Sequence, residues 1–172
     1  MNRTKRTGSK LIFTHLIRFF FGVPNPSIVF FATFTRFFDE MKIIGRSVLV
    51  DFSEVGLGEL KAKVDTGAYT SSIHCSWYKA QSDQTIECIL LDPEHPSYTG
   101  KRIILPLLKD VSVKSSDGIS EQRPMVQTSI TLGEEKFDLY LTLTNRKDMR
   151  YPVLLGRRFL ADRFLVDVTR KS

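Results

Sequence analysis

The sequence predicts an all-β domain with one short helix near its C-terminus, and three observations support this fold class. From Met41 onward, apolar residues recur in short runs that alternate with polar residues, a pattern typical of strands. Turn-forming residues separate these runs, most clearly at Asp92-Pro93-Glu94-His95-Pro96. Only Gly156–Arg163 has a helical pattern. We therefore expect an all-β domain with a single late helix.

Four strands are predicted in the first half of this region. Ile43–Phe52 is the first, and Leu60–Val64 is a shorter alternating strand that ends directly at Asp65. Thr85–Leu91 and Arg102–Leu107 follow and flank the turn-rich break. They predict a hairpin between about residues 85 and 107.

The second half predicts a further hairpin and three more strands. Val111–Lys114 and Pro124–Leu132 flank Ser115-Ser116-Asp117-Gly118, in which the Asp-Gly pair tolerates the positive φ angles of a hairpin turn. Gly133-Glu134-Glu135 predicts the next turn. The remaining strand-like runs are Phe137–Leu143, an apolar run from Val153 into Gly156, and Phe164–Val168.

The first forty residues differ in composition from the rest of the chain. They contain nine of the thirteen phenylalanines, in apolar stretches that are interrupted by Arg18, Pro24 and Pro26. Three interpretations are open: a membrane-surface anchor, an export or targeting segment, and a segment absent from the natural product, with translation starting at Met41. The third is favoured because the strand pattern begins at Met41. We therefore predict an extension at 1–40 and a domain at 41–172.

Charge and cysteine content limit the partners that we expect. The net charge is +6, but residues 1–40 contribute +4, and the remaining 132 residues carry 19 basic and 17 acidic side chains. Because no dense basic run is present, nucleic-acid binding is not expected. The two cysteines, Cys75 and Cys88, are too few for a disulfide framework, which favours free thiols in a reducing cytoplasm.

The chemistry is concentrated in Lys63-Val64-Asp65-Thr66-Gly67-Ala68, where a strand delivers an aspartate into a tight Thr-Gly turn. In an aspartic protease two carboxyls face one water and share a proton, because two like charges about 3 Å apart cannot both ionise. Glycine allows the two backbones to approach closely. Asp-Thr-Gly is also an ordinary turn sequence. The motif occurs once, so a shared pair of carboxyls requires a symmetric homodimer.

A second feature strengthens the protease interpretation: the apolar strand Val153-Leu154-Leu155 runs into Gly156-Arg157 at the start of the predicted helix. Together with Asp65-Thr66-Gly67-Ala68, this segment resembles the retroviral aspartic proteases. The resemblance implies a retropepsin-like, closed or partly open β-barrel. It also implies functional residues: catalytic Asp65, Thr66 and Gly67; substrate-binding Ala68 and Tyr69, with Ser116, Asp117 and Gly118 in a flap; and structural support from Leu155, Gly156 and Arg157.

The sequence is more closely similar to a bacterial family of the same fold, usually labelled ATP-dependent zinc proteases and often encoded beside ATP-grasp glutamate ligases. The similarity includes Thr70-Ser71-Ser72, Arg123-Pro124 and Leu143-Thr144-Asn145-Arg146. It implies a functional link to such a ligase. Retroviral enzymes carry an acidic residue where this chain has Tyr69, so we expect Arg157 to lack its usual partner and substrate binding to differ.

The residues themselves predict no metal and no nucleotide. There is no His-Glu-x-x-His motif and no phosphate-binding loop. His74 and Cys75 could supply two ligands, with Cys88 or His95 as a third, but adjacent side chains on a strand point to opposite faces. We expect no cofactor.

Basic residues in the second half have two interpretations: a solvated surface, or a cleft that favours acidic substrates. They are Lys109, Lys114, Arg123, Arg146, Lys147, Arg150, Arg157 and Arg158. The leading functional hypothesis is a homodimeric aspartic peptidase that acts on peptide or protein substrates rich in glutamate. The alternatives are a zinc-dependent peptidase and a non-catalytic peptide-binding module of the same fold.

Overall fold

A computed structural model of the chain describes residues 41–114, 118 and 120–171. Within these residues most of the chain is β-strand, with one short α-helix, α1, at Arg157–Leu160 and a 3-10 turn at Ser53–Val55. The predicted all-β class is confirmed. The strands are β1 Lys42–Ile44, β2 Ser47–Asp51, β3 Glu59–Asp65, β4 Ser71–Ala80, β5 Thr85–Leu90, β6 Ile103–Lys114, β7 Ser120–Leu132, β8 Glu135–Thr144, β9 Val153–Gly156 and β10 Phe164–Val166.

Eight of the strands form one sheet in the order β2-β3-β9-β4-β5-β6-β7-β8. Two further pairings return this sheet on itself: β2 contacts β7 through Asp51 and Thr131, and β4 runs parallel to β8. The result is a ring-like sheet. The short strands β1 and β10 pair with each other in parallel beside it.

The core fills the inside of this ring with apolar side chains. Phe52, Leu60, Ile73, Leu141 and Leu155 are almost completely buried. Burying each such side chain stabilises the fold by roughly 1.5–3 kcal/mol. In β3 the inward side chains alternate with exposed ones, so the strand presents its apolar face to the core and its charged face to solvent.

The predicted first strand is two strands, because the chain changes partner at Gly45. A Cβ at Gly45 would lie 2.8 Å from the carbonyl oxygen of Arg170, and the next residue, Arg46, donates its backbone N–H to that oxygen at 3.0 Å. β1 therefore pairs with β10, whereas β2 pairs with β3.

Three other predictions differ from the structure. Arg102–Leu107 and Val111–Lys114 belong to one strand, β6, which continues through a register shift between Leu107 and Lys109. β4 was not predicted. Its first five residues are all buried, so buried and exposed positions do not alternate along this half of the strand. The helix has only four residues, since the chain leaves it at Ala161 and enters β10. The predicted hairpin between residues 85 and 107 is confirmed by the antiparallel pairing of β5 with β6.

The residues from Lys42 to Ser172 form one compact unit. The predicted extension at 1–40 lies outside the described residues, so the boundary at Met41 stays a prediction. Both cysteines are free thiols and buried. In the part of the chain that the structure describes, no helix combines the length and the apolar character needed to cross a membrane.

Candidate active site

Asp65 is the last residue of β3 and lies where that strand runs beside β9. The two strands are parallel, and Asp65 is opposite Gly156 in their register. Because the buried residues of β3 are Leu60, Ala62 and Val64, Asp65 lies on the opposite, exposed face of the strand, and 23% of its side chain is accessible. The carboxylate therefore sits at the surface on a rigid base, as a group that reacts with an outside molecule must.

The two oxygens of the Asp65 carboxylate have different partners. The backbone N–H groups of Gly67 and Ala68 donate to Oδ1 at 3.0 and 3.3 Å. Lys63 Nζ donates to Oδ2 at 2.9 Å. Burial raises the pKa of Asp65, but the hydrogen bond and charge of Lys63 and the two backbone donors outweigh it and lower the pKa below its ordinary value. The carboxylate is held in place and ionised.

Two glycines let the backbones in this loop come close together. A Cβ at Gly67 would lie 3.2 Å from Asp65 Oδ1, so a side chain would crowd the carboxylate. A Cβ at Gly156 would lie 2.7 Å from the carbonyl carbon of Thr70 and 2.8 Å from the carbonyl oxygen of Tyr69. The close approach requires glycine at position 156, while its supporting role in the site stays a prediction. Its N–H also donates to the buried hydroxyl of Ser71 at 3.1 Å.

Arg157 braces the loop from the start of α1. Its Nη1 donates to the carbonyl oxygens of Thr66 at 3.1 Å and Gly67 at 3.3 Å, and its backbone N–H donates to the carbonyl oxygen of Ala68 at 2.8 Å. As expected from Tyr69, Arg157 makes no ion pair with an acidic side chain among the described residues, but it is not without hydrogen-bond partners. Backbone carbonyls take the place of the acidic side chain that retroviral enzymes carry at the position of Tyr69.

The other predicted residues of the loop are exposed or half-buried. Thr66 and Gly67 are exposed, Ala68 is half-buried, and 64% of Tyr69 is accessible. Leu155 is fully buried and belongs to the core beneath the loop. The thirteen-residue strand β7 and the neighbouring β6 form the predicted hairpin, in which Gly118 has a φ of +84°. Ser116 and Asp117 lie outside the described residues, so their predicted substrate contacts stay predictions.

Sequence reasoning missed Lys63 as a site residue, and it did not distinguish Arg146 from the other basic residues. Lys63 lies two residues before Asp65, and the period of two along a strand places both on one face. Arg146 is half-buried and donates to Ser72 Oγ at 3.2 Å and to the carbonyl oxygen of Tyr151 at 3.3 Å. Alternation along β3 could have identified Lys63. Arg146 could not have been singled out without the fold.

Arg146 interacts electrostatically with both Asp65 and Arg123. Burial and the positive charge of Arg123 lower the pKa of Arg146, while the negative charge of Asp65 raises it. Arg123, on β7, pairs with Glu121 at 2.7 Å. Arg146 has no carboxylate within salt-bridge distance among the described residues. Arg146 is therefore a half-buried cation that interacts electrostatically with Asp65 and has no ion pair among the described residues.

His74 fixes the position of the segment that carries Arg146. The backbone N–H of Arg146 donates to His74 Nδ1 at 2.8 Å, so the other ring nitrogen, Nε2, carries the proton and faces Asp92 Oδ2 at 2.9 Å. The backbone N–H of His74 donates to the carbonyl oxygen of Pro152 at 2.8 Å. His74 is buried and joins β4 to both neighbouring segments.

Two of the candidate zinc ligands, His74 and Cys75, make contacts with other protein groups. Both ring nitrogens of His74 have protein partners, and Cys75 Sγ donates to the carbonyl oxygens of Trp77 at 3.0 Å and Ile89 at 3.3 Å. His95 Nδ1 accepts the N–H of Ser97. Within residues 41–114, 118 and 120–171, no three groups of metal-ligating type come together. The residues present do not fit a zinc site.

Comparison with known proteins identifies one family across the described domain. The model of the RimB-like family, described as "Retropepsin-like aspartic endopeptidase RimB", matches residues 45–172. The predicted resemblance to retropepsin-like aspartic proteases is confirmed. A crystal structure of a protein of unknown function from Legionella pneumophila has a TM-score of 0.61 and 25% identity, and the match covers 75% of this chain and 95% of that one.

Curated relatives carry the name "Probable alpha-L-glutamate ligase". The one from Shewanella pealeana is 37% identical over 136 residues, which cover 75% of this chain and 29% of the relative. The one from Desulfotalea psychrophila is 35% identical over 130 residues, which cover 73% of this chain and 28% of the relative. This chain thus spans less than a third of the length of these relatives.

Proposed function

Because the chain belongs to the RimB-like family of retropepsin-like aspartic endopeptidases, we propose that it hydrolyses peptide bonds as a homodimer in which two Asp65 carboxyls share one catalytic site. The observation that carries this proposal is the carboxylate of Asp65, fixed at the end of β3 and presented at the surface by an exposed Thr66-Gly67 turn. One chain supplies one such carboxylate, and a second copy supplies the other.

The chemistry follows from two carboxyls that hold one proton between them. The ionised Asp65 takes a proton from a water molecule, and the oxygen of that water attacks the carbonyl carbon of the peptide. The protonated Asp65 gives its proton to the carbonyl oxygen. The tetrahedral intermediate then collapses as the C–N bond breaks: the carboxyl that took the water proton gives it to the leaving nitrogen, and the other carboxylate takes back the proton of the hydroxyl that becomes the product carbonyl, which restores the one-proton pair. Gly67 and Ala68 hold Oδ1 in place, which fixes the orientation of each carboxylate.

The test of this proposal is the full chain with Asp65→Asn, assayed for peptide hydrolysis. We expect kcat to fall on the order of 10³-fold or more, because the dyad loses its base. Asp138→Asn is the matched control, since Asp138 is an exposed aspartate on β8 without an ion pair to the described residues. Its activity should equal that of the wild type.

A mixed dimer tests the sharing of the site. A wild-type chain and an Asp65→Asn chain with different affinity tags are purified together, and their dimer should be inactive. Activity that survives in the mixed dimer, or in the Asp65→Asn chain alone, contradicts the shared dyad. Sensitivity to a chelator would support the zinc-dependent alternative. Peptide binding without turnover in both wild type and Asp65→Ala would support the non-catalytic alternative.

We propose further that the substrates are glutamate-bearing peptides and that the activity is linked to that of a glutamate ligase. Two observations support this substrate class. Arg146 is a half-buried cation near Asp65 whose guanidinium is bound by Ser72 and Tyr151, neither of which neutralises its charge. In addition, this chain is similar to about 28% of the length of a protein named as a probable alpha-L-glutamate ligase.

Paired peptides that differ only by glutamate or glutamine near the cleaved bond test the substrate class. Arg146→Met should raise KM for the glutamate peptide about tenfold or more, because a hydrogen bond to a charged group contributes roughly 1.5–3 kcal/mol. The glutamine peptide should change little. Arg150→Met is the control, since Arg150 is exposed and lies over the Tyr151 ring. Equal cleavage of both peptides by the wild type contradicts the proposed preference.

A further inference from the structure

Lys63 contacts Oδ2 of Asp65, the carboxylate oxygen that accepts no hydrogen bond from the backbone of the loop. The backbone donors of Gly67 and Ala68 both go to Oδ1, whereas Lys63 Nζ is 2.9 Å from Oδ2. Lys63 reaches this position because it lies two residues before Asp65 on β3, on the same exposed face. Oδ2 is thus the oxygen on which a proton or water would be held, and a lysine ammonium contacts it.

Two further positive side chains interact with Asp65 or with the turn that follows it, Arg146 and Arg157. Arg146 approaches from the segment between β8 and β9, and it interacts electrostatically with Asp65. Arg157 approaches from α1 and binds the carbonyl oxygens of Thr66 and Gly67. No acidic side chain from these elements lies within salt-bridge distance of Lys63 other than Asp65 among the described residues. The second carboxylate that the dyad requires therefore enters a positively charged environment.

We propose that Lys63 is a positioning residue that acts through Asp65 and sets the pH range in which the two Asp65 carboxyls keep their single proton. This inference rests on the proposed function, because it concerns the same dyad. In a dimer each Asp65 brings its own Lys63, so two ammonium groups face two carboxyls. A cation at hydrogen-bond distance stabilises the ionised form of each carboxyl. It therefore offsets part of the repulsion between the two negative charges, which otherwise keeps one of the carboxyls protonated.

The direction of the effect follows from this balance. Lys63 favours the doubly ionised pair, so the dyad loses its proton at a lower pH than it would without the lysine. The lowered pKa of Asp65 agrees with this direction. When the lysine is removed, the one-proton state should persist to higher pH. The whole pH profile of activity should then move toward higher pH.

The variants that test this are Lys63→Met, Lys63→Arg and a matched control, Lys61→Met, in the full chain. Lys61 is an exposed residue on the same face of β3, two residues before Lys63 and four before Asp65. We expect the kcat/KM profile of Lys63→Met to move to higher pH by about one pH unit, the size of effect that an adjacent opposite charge produces. Lys63→Arg should restore most of the wild-type profile, and Lys61→Met should not shift it.

A second measurement does not need enzymatic activity. Carbon-detected NMR titration of the Asp65 carboxyl reports its ionisation in the wild type and in Lys63→Met. We expect the titration midpoint to rise in Lys63→Met and to stay unchanged in Lys61→Met. An unchanged midpoint overturns the role of Lys63. If no peptide is cleaved but the midpoint rises, the contact with Asp65 is supported while the peptidase function fails, so the two failures are distinguishable.

Discussion

The loop that carries Asp65 and the hairpin formed by β6 and β7 are held in different ways. The aspartate loop, defined as Asp65–Thr70, is fixed by residues far away in the sequence: Arg157 binds the carbonyl oxygen of Thr66 across a separation of 91 residues. The outer hairpin, defined as Lys109–Lys114 and Ser120–Met125, is a local structure. Its two arms pair with each other through most of their length.

In the proposed function, the two regions would have different tasks. A catalytic carboxylate must be held in one geometry, and the close backbone contacts at Gly156 and the arginine brace provide that rigidity. A cover over a cleft must open and close, and a two-stranded ribbon whose outer side chains are mostly exposed can move without disturbing the core. We therefore expect substitutions in the loop to affect folding and catalysis together, and substitutions in the hairpin to affect mainly substrate binding.

The largest effect on stability is expected from Gly156→Ala. A Cβ there meets backbone atoms of Thr70 and Tyr69 at 2.7–2.8 Å, and backbone cannot move aside as a flexible side chain can. The free energy of unfolding should fall by about 3 kcal/mol, the upper part of the range for overpacking. Chemical denaturation monitored by circular dichroism measures this change.

Gly58→Ala is the control for Gly156→Ala. Gly58 has open space where a Cβ would be built, and its φ is not positive in the structure. This variant should unfold at the same denaturant concentration as the wild type. If Gly156→Ala were equally stable, the close approach between β9 and the segment after the aspartate loop would not be rigid, and the comparison between loop and hairpin would fail.

A smaller effect on stability is expected from Arg157→Ala. The variant removes two guanidinium hydrogen bonds to the loop, at an exposed position, and should lower the free energy of unfolding by about 1–2 kcal/mol. The loss in kcat should be larger than this destabilisation suggests, because the Thr66-Gly67 turn loses the brace that aligns the carboxylate. Steady-state kinetics beside denaturation curves separate the two effects.

Two further variants show whether the brace depends on geometry or on charge. Arg157→Lys keeps the positive charge but lacks the planar fork that spans two carbonyls, so its kcat should lie between those of wild type and Arg157→Ala. Arg46→Ala removes an exposed positive charge that makes no side-chain hydrogen bond within the described residues, and it should leave kcat unchanged. A full rescue by lysine would show that charge alone suffices.

Much of the fold could be predicted from the sequence because local patterns determine it. Alternation identified β3, β5 and β8, and turn residues placed the hairpins. β4 escaped prediction because its first half, Ser71–Cys75, is buried between β8 and β9 although three of its five residues are polar, so its composition does not show its burial. The break at Gly45 also could not be predicted, since its cause is a carbonyl of Arg170 at the far end of the chain.

The candidate site shows the same limit. Asp65, Gly67 and Gly156 could be predicted because their motifs are contiguous in sequence. The backbone partners of Arg157 could not be predicted, because a guanidinium can exchange a carboxylate for backbone carbonyls without any sign in the residue pattern. Arg146 reaches the site through a loop that His74 holds in place, and that contact joins residues 72 positions apart.

The smallest effect is expected from Gly118→Ala, and it tests the hairpin side of the comparison. Gly118 has a φ of +84°, and a Cβ there meets only Lys114 Cε, at 4.0 Å, so the substitution introduces backbone strain without a clash. Gly133→Ala is its matched control, because Gly133, in the turn between β7 and β8, has a φ of +65° and open space. Both variants introduce a strain of about 1 kcal/mol.

In Gly133→Ala, where the turn joins two strands of the ring-like sheet, the free energy of unfolding should fall by that amount. In Gly118→Ala the free energy of unfolding should fall by less, since the outer hairpin can relax, and KM should rise several-fold while kcat changes little. Denaturation curves and steady-state kinetics on the two variants measure this contrast. An equal loss of stability with an unchanged KM would mean that the hairpin is as rigid as the rest of the sheet and takes no part in holding substrate.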